Sequence, residues 1–329
     1  MLQRVSVAIG AGLSAALLCA VMAKGTVAAF LLAYLAPMPL IIATLGWGLD
    51  IGAFAAAIAT VVVVALVAPG SGAGFIGWVA LPAWVLGFLV LLRRESLWRR
   101  KDDSRGGWFP VGGIVVVAAL FGALAGLATM VLIAVSFGGY RSGVEALAGG
   151  MVHALRDAVD GEPPLPFGMT IERGIALFVR LIPATVAGST CAMLCANLYL
   201  GARTVQLSQR LARPWPRLPE ALVLPQWAGL ALVVCLGLGL ALRGAAAYAA
   251  WIGVGALGCA YAMQGLAVVH ALTRGFSVRI PALIAFYIGS VVTILYAAPS
   301  IVALGLVETW LSLRARRAAS LSAKPEPKS

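Results

Sequence analysis

The sequence predicts an all-α fold, a polytopic transmembrane helical bundle of about ten spans with N- and C-termini cytoplasmic. Three observations predict it. Long apolar stretches of membrane-spanning length recur from residue 5 to residue 313, cut by short arginine clusters. Hydrophobic residues make up 62% of the chain and charged residues 11%, with a mean hydropathy of +0.99. A single water-facing globule cannot bury that much apolar surface. The runs are also continuous in Ala, Val, Leu and Gly, without the in-out alternation of a membrane barrel, and helices satisfy backbone amides internally in lipid.

A hydrocarbon core of ~30 Å takes about 20 helical residues per crossing. Segments of that order cover residues 5–22, 26–45, 47–67, 75–92, 111–136, 173–200, 223–242, 245–272, 280–296 and 299–313. In the first, Ala8, Gly12, Ala16 and Ala20 recur every four residues, a stripe on which a partner helix can dock closely. Residues 1–23 also carry the three parts of a secretory signal, with Arg4, an apolar run and Val21-Met22-Ala23. The spans that follow directly favour retention of this segment as an anchor. Pro37 and Pro39 interrupt the second span and Pro82 the fourth, so both should bend, either lining a cavity or serving packing alone.

Residues 137–172 form the one substantial external loop. Within it Val144, Leu147, Ala148, Met151, Val152, Leu155 and Val159 recur at helical spacing, with Glu145, Arg156, Asp157 and Asp160 on other faces. This amphipathic helix is expected to lie at the outer interface or to cap a cavity opening, stopped by Gly161 and the Pro163-Pro164-Leu165-Pro166 run. The membrane domain covers residues 1–317. The polar, proline-broken tail over 318–329 is expected to be disordered and cytoplasmic.

The net charge of +12 is not a nucleic-acid stripe. Six cations fall between residues 93 and 105, four between 203 and 217, and five after residue 313. These clusters flank spans, and the positive-inside bias makes the loops over 93–107 and 201–222 cytoplasmic. Starting inside at Arg4, four spans and then six return the chain to the inside at the two loops. A break at Ala298-Pro299-Ser300 makes ten spans and keeps Arg314, Arg316 and Arg317 inside, whereas nine would place them outside. The bilayer is the implied partner, and nucleic acid is not.

Little in the chain resembles catalytic chemistry. Gly253-Val-Gly255-Ala-Leu-Gly258 matches a dinucleotide fingerprint by letter but sits inside a span with no acidic residue at the required distance. Those glycines, with Gly48, Gly52, Gly122 and Gly126, suit close helix packing. Two histidines with no Cys/His/acid cluster support no metal site, and no cofactor is implied. The five cysteines lie in apolar spans as small packing residues. Asp50 stands where it stabilises a helix start.

Ionisable and polar groups within spans are the remaining leads, because they are costly in hydrocarbon. Arg180 lies two turns into the sixth span, and Tyr34, Trp251 and Tyr296 fall toward the same outer half. Together they make a candidate aromatic pocket with one cation, suited to a small anionic organic ligand; an interfacial aromatic belt with a snorkelling arginine is the competing reading. Asn197, Gln264 and His270 lie toward the inner half, where hydrogen bonds between helices account for them.

The chain resembles the YybS-like family of bacterial polytopic membrane proteins. The likeness rests on Pro37-Met38-Pro39-Leu40 before the Gly46–Gly52 stretch, Asn197-Leu198-Tyr199 before a basic loop, Leu224-Pro225-Gln226-Trp227, and Glu308-Thr309-Trp310 running into Arg314. That family is distantly similar to substrate-binding subunits of energy-coupling-factor vitamin transporters, whose first helix contacts a transmembrane coupling subunit through small residues. The resemblance implies a bacterial cytoplasmic-membrane location and a small-solute-binding or transport component, not an enzyme, with Ala8 to Ala20 meeting another subunit. The alternative is a membrane scaffold whose basic loops engage anionic lipid or another protein.

Overall fold

A computed structural model of the chain describes residues 2–93, 107–158 and 170–322. Among them there is no strand, only an isolated bridge between Arg93 and Trp108. The protein is an all-α, polytopic integral membrane protein. Eight helices or helical pairs are long and apolar enough to cross a membrane, and two shorter apolar helices, Gln226–Ala241 and Arg279–Val292, stand where the seventh and ninth crossings are predicted.

The chain divides into two compact units: Met1–Ala118 with Ala192–Pro225 and Tyr261–Ser329, and Ala119–Cys191 with Gln226–Ala260. The first unit opens with α1 (Leu2–Ala20) and a 3-10 turn (Val21–Lys24). The second predicted span is broken into α2 (Val27–Ala33) and α3 (Pro37–Trp47). Pro37 starts α3, where a missing amide proton costs nothing. The break leaves the Tyr34 carbonyl without a backbone donor, and the buried Asn197 amide supplies one at 2.7 Å.

Gly48, with φ of +111°, joins α3 to α4 (Leu49–Leu66), a conformation open to glycine. Gly48 is thus a hinge between helices, not the packing residue expected; Gly52 does pack, since a β-carbon there would meet the Thr44 hydroxyl at 2.0 Å. Asp50 lies in the first turn of α4 and pairs with Arg4 at 2.8 Å. The stripe on α1 is covered by the chain's own α4. Ala8, Gly12 and Ala16 are buried, and a β-carbon at Gly12 would stand 2.8 Å from the Ala55 carbonyl; Ala20 is half-buried.

The fourth span consists of α5 (Ser71–Phe75), a π turn (Ile76–Ala80) and α6 (Leu81–Leu91). The π register ends beside Pro82, where the helix must accommodate a residue without an amide proton. Next come α7 (Val111–Ser136), α8 (Tyr140–Ala158) and the 37-residue α9 (Ile171–Leu207), followed by α10 (Leu218–Ala221), α11 (Gln226–Ala241) and α12 (Ala245–Leu272). The chain closes with α13 (Arg279–Val292), α14 (Ile294–Leu311) and α15 (Leu313–Ser322). Helices α7, α9 and α12 contribute residues to both units.

Three local expectations change. The last two apolar helices, α13 and α14, separate at Thr293, not at Ala298-Pro299-Ser300, and Pro299 lies inside α14. The β-branched run Val291-Val292-Thr293 disfavours helix, and the Thr293 hydroxyl donates to the Gly289 carbonyl at 2.7 Å. The segment α15 runs to Ser322, into the stretch expected to be disordered, while 323–329 lie outside the described residues. The amphipathic α8 does not lie bare at an interface. Its Tyr140, Val144 and Ala148 are buried with Ile133 of α7 and Val179 of α9 in the core of the second unit. The Pro163–Pro166 stop and most of the 93–105 cluster fall outside the described residues.

The second unit is held by backbone approach at glycines. A β-carbon at Gly122 would lie 2.2 Å from the Ala187 carbonyl oxygen, one at Gly126 2.5 Å from that of Pro183, and one at Gly255 2.1 Å from that of Ala184. Gly253 abuts the Cys235 sulfur in the same way, at 2.6 Å. Two glycines of the apparent dinucleotide fingerprint therefore act in helix packing, the way small residues let membrane helices approach.

A candidate apolar cavity with a polar rim

In the first unit the C-terminal half of α9, the 208–217 loop, α10, the ends of α6 and α12, the start of α7, and α13 line an open cavity of about 690 Å³. Its wall is mostly Ala, Val, Leu and Pro side chains. The polar exceptions are few. His270 and Tyr287 meet at 2.8 Å between the imidazole Nε2 and the phenol oxygen. Tyr199 packs edge-on against Trp215 with ring centroids 5.7 Å apart, and the Arg203 guanidinium lies 5.7 Å from the centroid of the same indole. Arg213, half-buried, also lines the cavity. Among the described residues no hydrogen bond or carboxylate pairs it, and burial pushes its guanidinium pKa down.

One wall is the irregular segment over 218–225, and the sequence shows why it holds its place. Leu218, Pro219 and Leu222 face the cavity, and the backbone around them would leave polar groups bare in an apolar setting. Arg314 donates to the Pro219 carbonyl at 2.6 Å and to the Leu222 carbonyl at 3.0 Å. Its charge is neutralised by Glu308 at 2.8 Å, with side chains only 9% and 6% exposed. Ser312, in the left-handed region at φ of +48°, turns the chain so that Arg314 reaches back to Glu308. Gln264, fully buried, accepts from the Leu224 amide at 2.6 Å and donates to the Gly305 carbonyl at 2.6 Å and the Thr309 hydroxyl at 3.0 Å. Gly112 at the start of α7 abuts the same segment, because a β-carbon there would lie 1.8 Å from the Val223 carbonyl.

The four residues expected to form a pocket lie elsewhere. Tyr34 ends α2, exposed, with its carbonyl held by Asn197, and Tyr296 is 65% exposed in the first turn of α14. In the second unit the Arg180 side chain is exposed, and its carbonyl accepts from the Tyr140 hydroxyl at 2.9 Å. Trp251 is half-buried against Gly239, whose β-carbon would stand 3.1 Å from the indole. None of the four lines the cavity.

Asn197, Gln264 and His270 do bond between helices or to a broken backbone, as their types suggested. Arg213, Trp215 and Tyr287 carried no such signal: two stand in a loop rich in flanking cations, and the third resembles an interfacial tyrosine. The Trp215–Tyr199 spacing and the four arginines over 203–217 were the available hint. Compared with protein-family profiles, curated proteins and solved structures, the chain matches none.

Proposed function

We propose that this integral membrane protein is a binding component, in solute binding or transport, for a small and largely apolar molecule held in the cavity of the first unit. The cavity carries the reading. At about 690 Å³ it falls within the ~300–1,000 Å³ of small-molecule sites, and its apolar lining with a few convergent polar groups is their usual chemistry. The buried Glu308–Arg314 pair supports it too, because a buried ion pair is a poor source of net stability and a good means of fixing one geometry. Here the geometry is that of the cavity wall. The sequence contains no phosphate-binding loop, so ATP-driven transport would take its energy from another chain, consistent with the resemblance to energy-coupling-factor subunits.

Native mass spectrometry of gently extracted protein tests this reading. The expected result is one retained small molecule per chain, lost when Ala196→Trp fills the cavity. Copurifying protein subunits with no small molecule, in the wild type as in the variant, would overturn it in favour of the scaffold.

A further inference from the structure

We infer that the cavity takes an anionic amphiphile, one apolar chain bearing a phosphate, sulfate or carboxylate, with Arg213 as the partner of the headgroup. The inference rests on the proposed binding role and adds the ligand's charge. No aspartate or glutamate lines the cavity, and Arg213 does. Three neighbouring arginines are engaged: Arg203 lies over Trp215 and bonds Gln206, Arg210 lies 4.7 Å over the Trp47 ring, and Arg274 pairs with Glu220. Arg279, near His270, does not line the cavity, although its Nε has no partner among the described residues. Arg314 is spent on Glu308 and two carbonyls.

Arg213 is therefore a half-buried guanidinium that has lost part of its hydration and, among the described residues, gained no acceptor. A guanidinium at an apolar wall forks onto a phosphate or carboxylate with two parallel hydrogen bonds. The rest of the wall offers an aliphatic chain the contacts it needs and offers a second charge none. A neutral ligand would leave Arg213 unpaired, and a compact inorganic anion would leave the apolar wall unfilled. The His270–Tyr287 pair can donate one further hydrogen bond to an anion or its linking oxygen.

The test uses the full chain in nanodiscs of phosphatidylcholine, with empty discs subtracted, titrated with dodecyl phosphate, dodecanol and inorganic phosphate. The expected result is dodecyl phosphate binding about tenfold or more tighter than dodecanol, the value of one charge-assisted pair, with no measurable binding of inorganic phosphate. Arg213→Gln should abolish that difference, with an unchanged unfolding temperature showing that the variant is folded; Arg213→Lys should keep part of it. Phosphatidylglycerol placed in the disc should compete if the natural ligand is drawn from the bilayer, and should not if it is a transferred solute; the inferred chemistry holds in both cases.

Equal affinity for the alcohol and the phosphate in the wild type would overturn the charge assignment and leave the binding role standing. An undiminished preference in Arg213→Gln would overturn the role of Arg213. Binding of neither alkyl probe would overturn the cavity reading itself.

Discussion

The two compact units hold helices together in an apolar solvent with one shared device, backbone approach at glycines such as Gly265 and Gly305 in the first and Gly122 and Gly255 in the second, to which the first adds buried polar bonds. All five buried polar or charged residues among those described, Thr44, Asn197, Gln264, Glu308 and Thr309, belong to the first unit. The second buries none by that measure and relies on glycines that bring backbones into contact, with Tyr140 donating onto the turn of α9 weakened by Pro183 and an exposed Arg156–Glu172 pair joining α8 to α9. Lipid offers apolar groups no reason to leave it, so association must come from close packing or from polar bonds. Close packing leaves no room. Polar clamps can hold irregular backbone around a space, and the cavity lies where the clamps are.

Five variants would break or sharpen that contrast. The largest effect is expected from Glu308→Ala, which leaves Arg314 charged, buried and unpaired and should cost about 3–5 kcal/mol in thermal unfolding in detergent. It should also loosen the 218–225 wall and weaken ligand binding. Removing both charges, as Glu308→Leu with Arg314→Leu, should cost less stability than the single change, while ligand binding stays impaired because the two carbonyls lose their donor.

In the second unit Gly255→Ala should cost about 1–3 kcal/mol by forcing α12 away from the Ala184 carbonyl. Ligand affinity at the cavity should be unchanged, measured by the same titration. A loss of affinity equal to that of Glu308→Ala would erase the functional difference between the units.

A smaller effect, about 1 kcal/mol, is expected from Tyr140→Phe, which removes the bond to Arg180. Burial, reinforced by Tyr248 and opposed by Arg180, raises the Tyr140 hydroxyl from 10.0 to about 12. The neutral hydroxyl is thus favoured in the folded state. Its contribution is fully present below pH 10 and is lost as pH rises toward about 12, so the wild type should destabilise over that window and Tyr140→Phe should lack this component. Ser312→Gly should give the smallest change, a gain under about 1 kcal/mol, because relief of the left-handed serine is partly offset by glycine's freedom in the unfolded chain. A loss in unfolding temperature would show that the Ser312 side chain contributes more than its turn.

Much of the helical layout was legible because hydropathy reports the solvent directly. Pro37 marked its break, and Asn197 and Gln264 declared themselves as amides that hydrocarbon would not tolerate alone. The break at Thr293 was missed because proline is the louder signal, although Pro299 is accommodated and a β-branched run is not. Arg314 read as one more flanking cation. Its pairing depends on the turn at Ser312, a conformation serine rarely advertises. The cavity was illegible for a deeper reason: Ala, Val and Leu facing a void have the same hydropathy as those facing lipid, so no periodicity distinguishes them. The α1 stripe shows the converse limit, since small residues announce a docked helix without saying whose it is.

The most direct test of the account is hydrogen exchange of the protein with and without dodecyl phosphate, resolved to segments. Protection confined to the 208–225 segment and the C-terminal ends of α9 and α12, with α8 and the N-terminal half of α9 unchanged, is the expected result. Protection centred on Arg180 and Trp251, with the 208–225 segment unaffected, would contradict it.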